Sequence, residues 1–267
     1  MQLPGRLVLL GHPVAHSLSP VFQNAALRSA GIPLAYEALD VPPSLLATVA
    51  ALLREANGAG NVTVPHKEVF AALCASRSPV ADRVGAVNTF WTEAGALVGD
   101  NTDVGGFEAA VQQHFGESRA RVEVAVLGAG GAAAAVLAAV ERWEGARARV
   151  FARSRNRAVA LVDRFARIAT VAGTLQEAVA GATLVVNATP VGFAEEAFPV
   201  EPTLIPDGAD VYDLAYRRGE TAWVHACRAR GLRAADGMTM LVEQGALSFE
   251  RWFGRIADRG VMREALK

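Results

Sequence analysis

Lysine is almost missing from this chain. Of its 26 basic residues, only Lys67 and Lys267 are lysines, and arginine supplies the rest. Arginine does not release its proton in a protein, whereas lysine can. The single internal lysine therefore stands where a titratable cation is useful. Cysteine is scarce as well. Cys74 and Cys227 show no CxxC spacing and no Cys/His cluster, which excludes a disulfide framework and a thiolate metal site and suits a reducing, cytoplasmic compartment. A formal net charge of −1 gives no electrostatic signal for nucleic acid or an anionic membrane. Long apolar runs are lacking except from Val124 to Val140, which carries no charge. That run falls short of the roughly 20 apolar residues a membrane span needs. Gly128, Gly130 and Gly131 interrupt it, so it reads as a buried strand, a turn and a close-packed helix. The opening Met-Gln-Leu-Pro shows no basic stretch leading into an apolar one, so no signal peptide is expected. With 52% of residues apolar and 20% charged, the chain has ample material for packed cores.

Strand-like and helix-like patterns alternate along most of the length. Leu7–Leu10 reads as a strand ending at Gly11. Ser19 reads as the cap of a helix with Pro20 at its first position and Gly31 at its close. Leu34–Val41 reads as a strand, Pro43–Ala56 as a helix, Asn61–Val64 as a strand, and Pro65 to about Ala75 as a helix. Val87–Thr92 and Ala96–Val98 form a hairpin through Glu93-Ala94-Gly95. A second series follows: a helix over Val104–Phe115, a strand over Val122–Leu127, and an alanine-rich helix to about Glu144. Then come a strand at Arg149–Phe151, a helix at Asn156–Ala166, buried strands at Leu184–Asn187 and Val211–Leu214, and a long helix from Gly237 to about Ile256. Such alternation predicts an α/β fold with parallel sheets.

Gly128-Ala129-Gly130-Gly131-Ala132-Ala133 fits GxGxxA between a strand and a helix. Gly128 makes the tight turn, Gly130 admits a pyrophosphate to the backbone, and Ala133 lets helix and strand pack closely. Alanine- and glycine-rich sequence produces this pattern by chance, so its context carries the dinucleotide reading. About 20 residues further on, an NAD site wants an acid for the ribose hydroxyls. Here the strand ends in Arg153-Ser154-Arg155-Asn156-Arg157, with no acid, which favours a 2′-phosphate and NADP(H). A solvated arginine-rich loop is the alternative, and the arginine bias of the chain gives it weight.

Four short segments hold polar residues that a fold alone does not require. They are His16–Pro20, Asn61–Lys67, Gly85–Thr89 and Gly99–Asp103. Three of the seven asparagines, Asn61, Asn88 and Asn101, fall there. Amides and hydroxyls suit a polyol acid, and Lys67 with Asp103 is the pair suited to proton transfer.

These blocks resemble the shikimate dehydrogenase family along nearly the whole chain. Gly11-His12-Pro13-Val14-Ala15-His16-Ser17-Leu18-Ser19-Pro20 resembles its GxPxxHSxSP. Asn61 through Lys67 resembles NVTxPxK, and Asn101-Thr102-Asp103 with Gly106-Phe107 resembles NTDxxGF. Asn187–Gly192, Asp213–Tyr216, and Gly237–Leu241 with Gln244 resemble later blocks in the same order. The resemblance implies an N-terminal α/β substrate domain, residues 1–102 plus 237–267, and a Rossmann-type doubly wound NADP-binding domain, residues 103–236, with the active site in the cleft between them. It implies NADPH-dependent reduction of 3-dehydroshikimate to shikimate, a step toward chorismate and the aromatic amino acids. Ser17 and Ser19 would hold the substrate carboxylate. Asn61, Thr63, Asn88 and Gln244, helped by Tyr216, would bind ring hydroxyls. Lys67 and Asp103 would be the catalytic pair. Leu214 and Gly237 would lie by the nicotinamide, and Arg153, Ser154 and Arg157 would hold the adenosine phosphate.

The chain departs from the family in two places. Gln23-Asn24 replaces a His-Asn pair, which should touch packing only. Ala152-Arg153-Ser154 replaces Asn-Arg-Thr, which removes one adenosine contact. His12 and His16, with Pro13 between them and no third ligand, make no metal site. His66 should point away from Lys67. His114 and His225 read as surface residues, and Met238 and Met240 as packing. Tyr216 also admits a purely structural reading. Two alternatives stay open: a quinate/shikimate dehydrogenase of broader choice, and a non-catalytic NADP-binding sensor, which would need neither Lys67 nor Asp103. The residues do not read out an oligomeric state, and a homodimer stays open.

Overall fold

In a computed structural model, residues 3–116, 121–193 and 196–267 are described. The chain divides into two compact units, Met1–Gly106 with Leu241–Lys267, and Phe107–Met240. Each unit builds one six-stranded sheet.

In the first unit the elements run β1 (Arg6–Gly11), α1 (Ser19–Ser29), β2 (Tyr36–Asp40), α2 (Leu46–Glu55), β3 (Gly58–Val62), α3 (Lys67–Leu73), β4 (Ser76–Arg77), α4 (Pro79–Val84), β5 (Thr89–Glu93) and β6 (Ala96–Asp100). Their sheet has the order β2-β1-β3-β5-β6-β4. β1 is parallel to β2 and β3, but β5 runs antiparallel to both β3 and β6. The sheet is thus mixed: the β5–β6 hairpin is the one expected from the sequence, and it joins the parallel strands through an antiparallel pairing of β5 with β3. The turn at Ala94-Gly95 reverses the chain between β5 and β6, since both residues take positive φ, 49° and 76°, as a tight hairpin requires. Val8, Leu10, Val62, Phe70 and Phe90 form the core on one face, packed against Leu46, Ala50 and Leu53 of α2.

Two local expectations need correction here. The third strand spans Gly58–Val62, not Asn61–Val64. Gly58-Ala59-Gly60 looks like loop sequence, yet Gly60 pairs with Val8 and its missing Cβ would overlap the Val8 carbonyl. Glycine is there for close backbone approach. Ser19 is also not a cap. It is the first helical residue, Leu18 precedes it without a side-chain cap, and the Ser19 N–H donates to Ser17 Oγ at 3.2 Å.

Helix α5 (Asp103–Phe115) crosses from the first unit to the second. There follow β7 (Glu123–Leu127), α6 (Gly131–Val140), β8 (Arg147–Phe151), α7 (Arg155–Arg164), β9 (Ala169–Val171), α8 (Leu175–Val179), β10 (Leu184–Asn187), β11 (Asp210–Asp213), α9 (Ala222–Ala229) and β12 (Arg233–Ala235). All five strand pairings are parallel, in the order β12-β11-β10-β7-β8-β9. Renumbered within the unit from β7, that order is 3-2-1-4-5-6 from the β9 edge, the doubly wound dinucleotide-binding arrangement. The alanine-rich helix stops at Val140 rather than near Glu144, because the chain turns through 141–144 to enter β8. Residues 133–140 are buried on every side, which only small and apolar side chains permit. Among the described residues no helix is long and apolar enough to cross a membrane.

Helix α10 (Met238–Phe253) returns the chain to the first unit, where α11 (Arg259–Glu264) packs on α1. Arg259 bridges Glu243 and Glu250, and Arg263 also reaches Glu243, so α11 is tied to α10 by charge.

Candidate active site

In the first unit the polar segments converge. Lys67 opens α3 and Asp103 opens α5, and Lys67 Nζ donates to Asp103 Oδ2 at 2.7 Å. The two side chains are 18% and 7% exposed, so this ion pair is largely out of water. The other carboxylate oxygen, Oδ1, accepts from Asn88 Nδ2 at 2.8 Å. The Asp103 N–H donates to Asn101 Oδ1, while Asn101 Nδ2 donates to the Ala86 carbonyl. Both Asp103 oxygens are therefore engaged, as a buried carboxylate demands.

Behind this pair lies a largely buried network of amides and hydroxyls. Asn88 Oδ1 accepts the Thr102 N–H at 2.7 Å, and its Nδ2 also lies 3.3 Å from Gln244 Oε1. Asn61 Nδ2 donates to the Asn88 carbonyl, Thr89 Oγ1 and Ser248 Oγ, and its Oδ1 accepts from the Tyr36 hydroxyl. Ser248 further contacts the Thr89 and Thr102 hydroxyls at 2.6 and 3.0 Å. Sequence reasoning singled out Asn61, Asn88 and Gln244 but missed Tyr36 and Ser248. A serine one helical turn beyond Gln244 on an apolar helix was the available signal.

The remaining residues of this unit sit near the ends of β1 and β3. Thr63 is half-buried just beyond β3, its N–H on the Leu10 carbonyl. Ser17 is half-buried and Ser19 buried at the start of α1. Gln23, one turn on, is fully buried and donates to the Gly245 carbonyl at 2.9 Å. His66 is buried with a ring nitrogen 2.7 Å from the Val41 carbonyl, while exposed His12 pairs with Asp40.

In the second unit the glycine loop joins β7 to α6. Gly128 has φ +122°, and a Cβ there would come within 2.6 Å of the Ala188 carbonyl. Gly130 is the cap position just before α6, offers no side-chain cap, and has open space where its Cβ would stand. Ala129, Gly131 and Ala132 are half-buried around it, and Ala133 is fully buried. Arg153, Ser154 and Arg157 are exposed between β8 and the first turn of α7. Leu214 and Gly237 meet backbone to backbone, since a Cβ on Gly237 would overlap the Leu214 carbonyl. Tyr216 stands edge-on to Phe193, with ring centroids 5.1 Å apart. Beneath them Asp213 accepts from Asn187 Nδ2 and the Thr221 hydroxyl, both at 2.8 Å. Burial raises the Asp213 carboxyl, against those donors and the Ala215 N–H.

A mixed-sheet unit with a buried lysine–aspartate pair, joined to a parallel unit of dinucleotide-binding order, defines a two-unit α/β protein of dehydrogenase type. The family model described as shikimate dehydrogenase substrate binding domain matches residues 9–90, and that described as shikimate 5′-dehydrogenase C-terminal domain matches residues 237–267. A shikimate dehydrogenase (NADP⁺) of Symbiobacterium thermophilum is 43% identical, over 98% of this chain and 94% of its own. The crystal structure of shikimate 5-dehydrogenase from Thermus thermophilus in complex with NADP(H) and shikimate superposes with a TM-score of 0.89 at 38% identity, covering 99% of this chain and 98% of that one. That of shikimate dehydrogenase from Aquifex aeolicus gives 0.91 at 32% identity, covering 98% and 97%. The chain belongs to the shikimate dehydrogenase family.

Proposed function

We propose that the chain catalyses the reversible, NADP-dependent reduction of 3-dehydroshikimate to shikimate. The observation that carries this reading is the Lys67–Asp103 pair, largely buried and held by Asn88 inside a cluster rich in amides and hydroxyls. A binding module has no use for a titratable ion pair at the base of a polyol-binding cluster.

The residues present fit a dinucleotide phosphate. Open space at Gly130, the uncapped start of α6 and the exposed Arg153 and Arg157 would take the pyrophosphate and the adenosine phosphate. Ala129, Gly131, Ala132 and Ser154 would line the same path, and Leu214 and Gly237 the nicotinamide. Bound there, NADPH supplies the hydride. The ketone oxygen gains negative charge as it is reduced, and the ammonium of Lys67 stabilises that charge and gives up a proton. Asp103 orients the ammonium through its 2.7 Å contact and shares the new hydroxyl. Ser17 and Ser19 would hold the carboxylate; Asn61, Thr63, Asn88, Gln244 and Tyr216 the ring hydroxyls. In this reading the first unit is the substrate domain and the second the NADP domain, and the enzyme works in the cytoplasm, in keeping with its two free, buried cysteines.

The test is a matrix assay. Shikimate or quinate is mixed with NADP⁺ or NAD⁺, and the absorbance of reduced nicotinamide is followed. Shikimate with NADP⁺ should give the highest kcat/KM. A higher value for quinate or for NAD⁺ would overturn the substrate or the cofactor assignment.

A further inference from the structure

The carboxamide of Asn61 has its orientation dictated from two sides. Its Nδ2 lies 3.0 Å from the Asn88 carbonyl, 2.9 Å from Thr89 Oγ1 and 2.9 Å from Ser248 Oγ. Its Oδ1 lies 2.8 Å from the Tyr36 hydroxyl. A backbone carbonyl can only accept, so the NH₂ must face Asn88, and that choice settles which way the amide is turned. Oδ1 then faces Tyr36, and the phenol must donate. Burial holds the Tyr36 phenol well above its ordinary range, so the proton stays on it. Ser248 gives its one proton to the Gln244 carbonyl a turn earlier in α10, at 2.9 Å, which leaves its oxygen to accept from Asn61. Both Nδ2 hydrogens are thus spent inside the protein. What Asn61 keeps for a ligand is the second lone pair of Oδ1.

We infer that Tyr36 and Ser248 are positioning residues that hold Asn61 as a hydrogen-bond acceptor toward the substrate ring, so that the ring hydroxyl meeting Asn61 does so as a donor. This rests on the reading above, in which Asn61 faces a ring hydroxyl. Neither positioning residue touches the ring: Tyr36 is 2% exposed and Ser248 is 0%. Trp252, stacked at a tilt against Tyr36 and tied by its indole N–H to the Phe90 carbonyl, keeps the phenol in place. A site built to accept a substrate O–H discriminates against an analogue that cannot donate, because its own buried polar atom is then unmatched.

The experiment pairs Tyr36→Phe, which removes one hydroxyl at constant ring shape, with analogues of shikimate that lack, or carry fluorine in place of, one of the two hydroxyls that do not react. Turnover of shikimate by the parent is measured first, and its absence would sink the functional reading and this inference together. With an active parent, Tyr36→Phe should raise KM for shikimate about 3- to 10-fold with a smaller change in kcat, the scale of one neutral hydrogen bond. The increase should vanish for one deoxy analogue and persist for the other, and it should vanish again in an Asn61→Ala background. Ser248→Ala should show the same pattern more weakly, since Nδ2 retains Asn88 and Thr89. At the position where the effect vanishes, the fluoro analogue should bind no better than the deoxy one, because fluorine cannot donate. An equal rise in KM for shikimate and both deoxy analogues would reduce Tyr36 to a structural role. A fluoro analogue as good as shikimate would show that Asn61 donates, and the inference fails.

Discussion

Lys67 and Asp103 begin two different helices, 36 residues apart in the chain, and meet at 2.7 Å with little exposure to water. Each is therefore held by a helix start rather than by a loop, and the pair is aimed before any ligand arrives. Lys67→Ala should lower kcat by about 10²- to 10⁴-fold, the usual range for a general acid–base group. KM for shikimate should change much less, because several other side chains grip the ring. Lys67→Arg separates two roles. Arginine keeps the charge but does not yield a proton. If Lys67 transfers a proton, the arginine variant should be nearly as slow as the alanine variant, as measured by steady-state rates with a structure confirming the substrate pose. Recovery of most of the rate would assign Lys67 to charge stabilisation alone.

Lys67 was legible in the sequence because composition exposed it, and Asp103 because it closes one of the four polar segments. A lone internal lysine in an arginine-rich chain, and asparagines clustered in three short segments, needed no coordinates. The network behind the pair was not legible. Ser248 and Tyr36 reach the site through contacts with Asn61, 187 and 25 residues away, and neither lies in a polar segment. The Gly58–Val62 strand was misplaced because its glycines serve a close approach to β1 that only the paired sheet reveals. Short elements such as β9, α8 and β12 fell below what periodicity can register, with three to five residues each. Helix α9 was visible in principle, since Thr221 caps it by accepting the Val224 N–H. Both crossings between the units run inside helices, α5 and α10, with no change of composition to mark them.

Cofactor choice can be tested at Arg153. It is exposed beyond β8, where a carboxylate would repel a 2′-phosphate. Arg153→Asp should cut the preference for NADP⁺ over NAD⁺ by about tenfold or more, the scale of losing one charge-assisted hydrogen bond. The measurement is the ratio of kcat/KM for the two cofactors. An unchanged ratio would mean that this loop does not read the phosphate.

The carboxylate site can be tested at Ser17 and Ser19, which are not equivalent. Ser17 Oγ already accepts the Ser19 N–H, so Ser17→Ala also loosens the start of α1. Ser19→Ala leaves that backbone contact intact and is the cleaner probe. It should raise KM for shikimate more than it lowers kcat, as loss of uniform binding does. A double variant with unchanged KM would move the carboxylate elsewhere.

Asp236 offers a test by pH. It lies buried just before α10, with Oδ1 accepting the Met238 N–H at 3.1 Å and Oδ2 buried without a hydrogen-bond partner among the described residues. Burial pushes this carboxyl up from 3.8 to about 6. The Met238 N–H and Arg228 oppose the rise, while Glu220 and Asp213 add to it. A folded-state value above the unfolded one means that the fold prefers the protonated acid. The stability this provides is fully present below about pH 4 and is lost as pH rises through about 6. At neutral pH the parent therefore carries a buried, half-satisfied anion. Asp236→Asn keeps the acceptor for Met238 and removes the charge, so it mimics the protonated acid at every pH. The variant should match the parent in Tm near pH 4 and exceed it at pH 8. The gain there is at most about 3 kcal/mol, since each tenfold change in proton affinity between the folded and unfolded states is worth about 1.4 kcal/mol. Thermal melts at both pH values decide the matter: a Tm difference of the same size at pH 4 and pH 8 would trace the effect to packing rather than to the charge on Asp236.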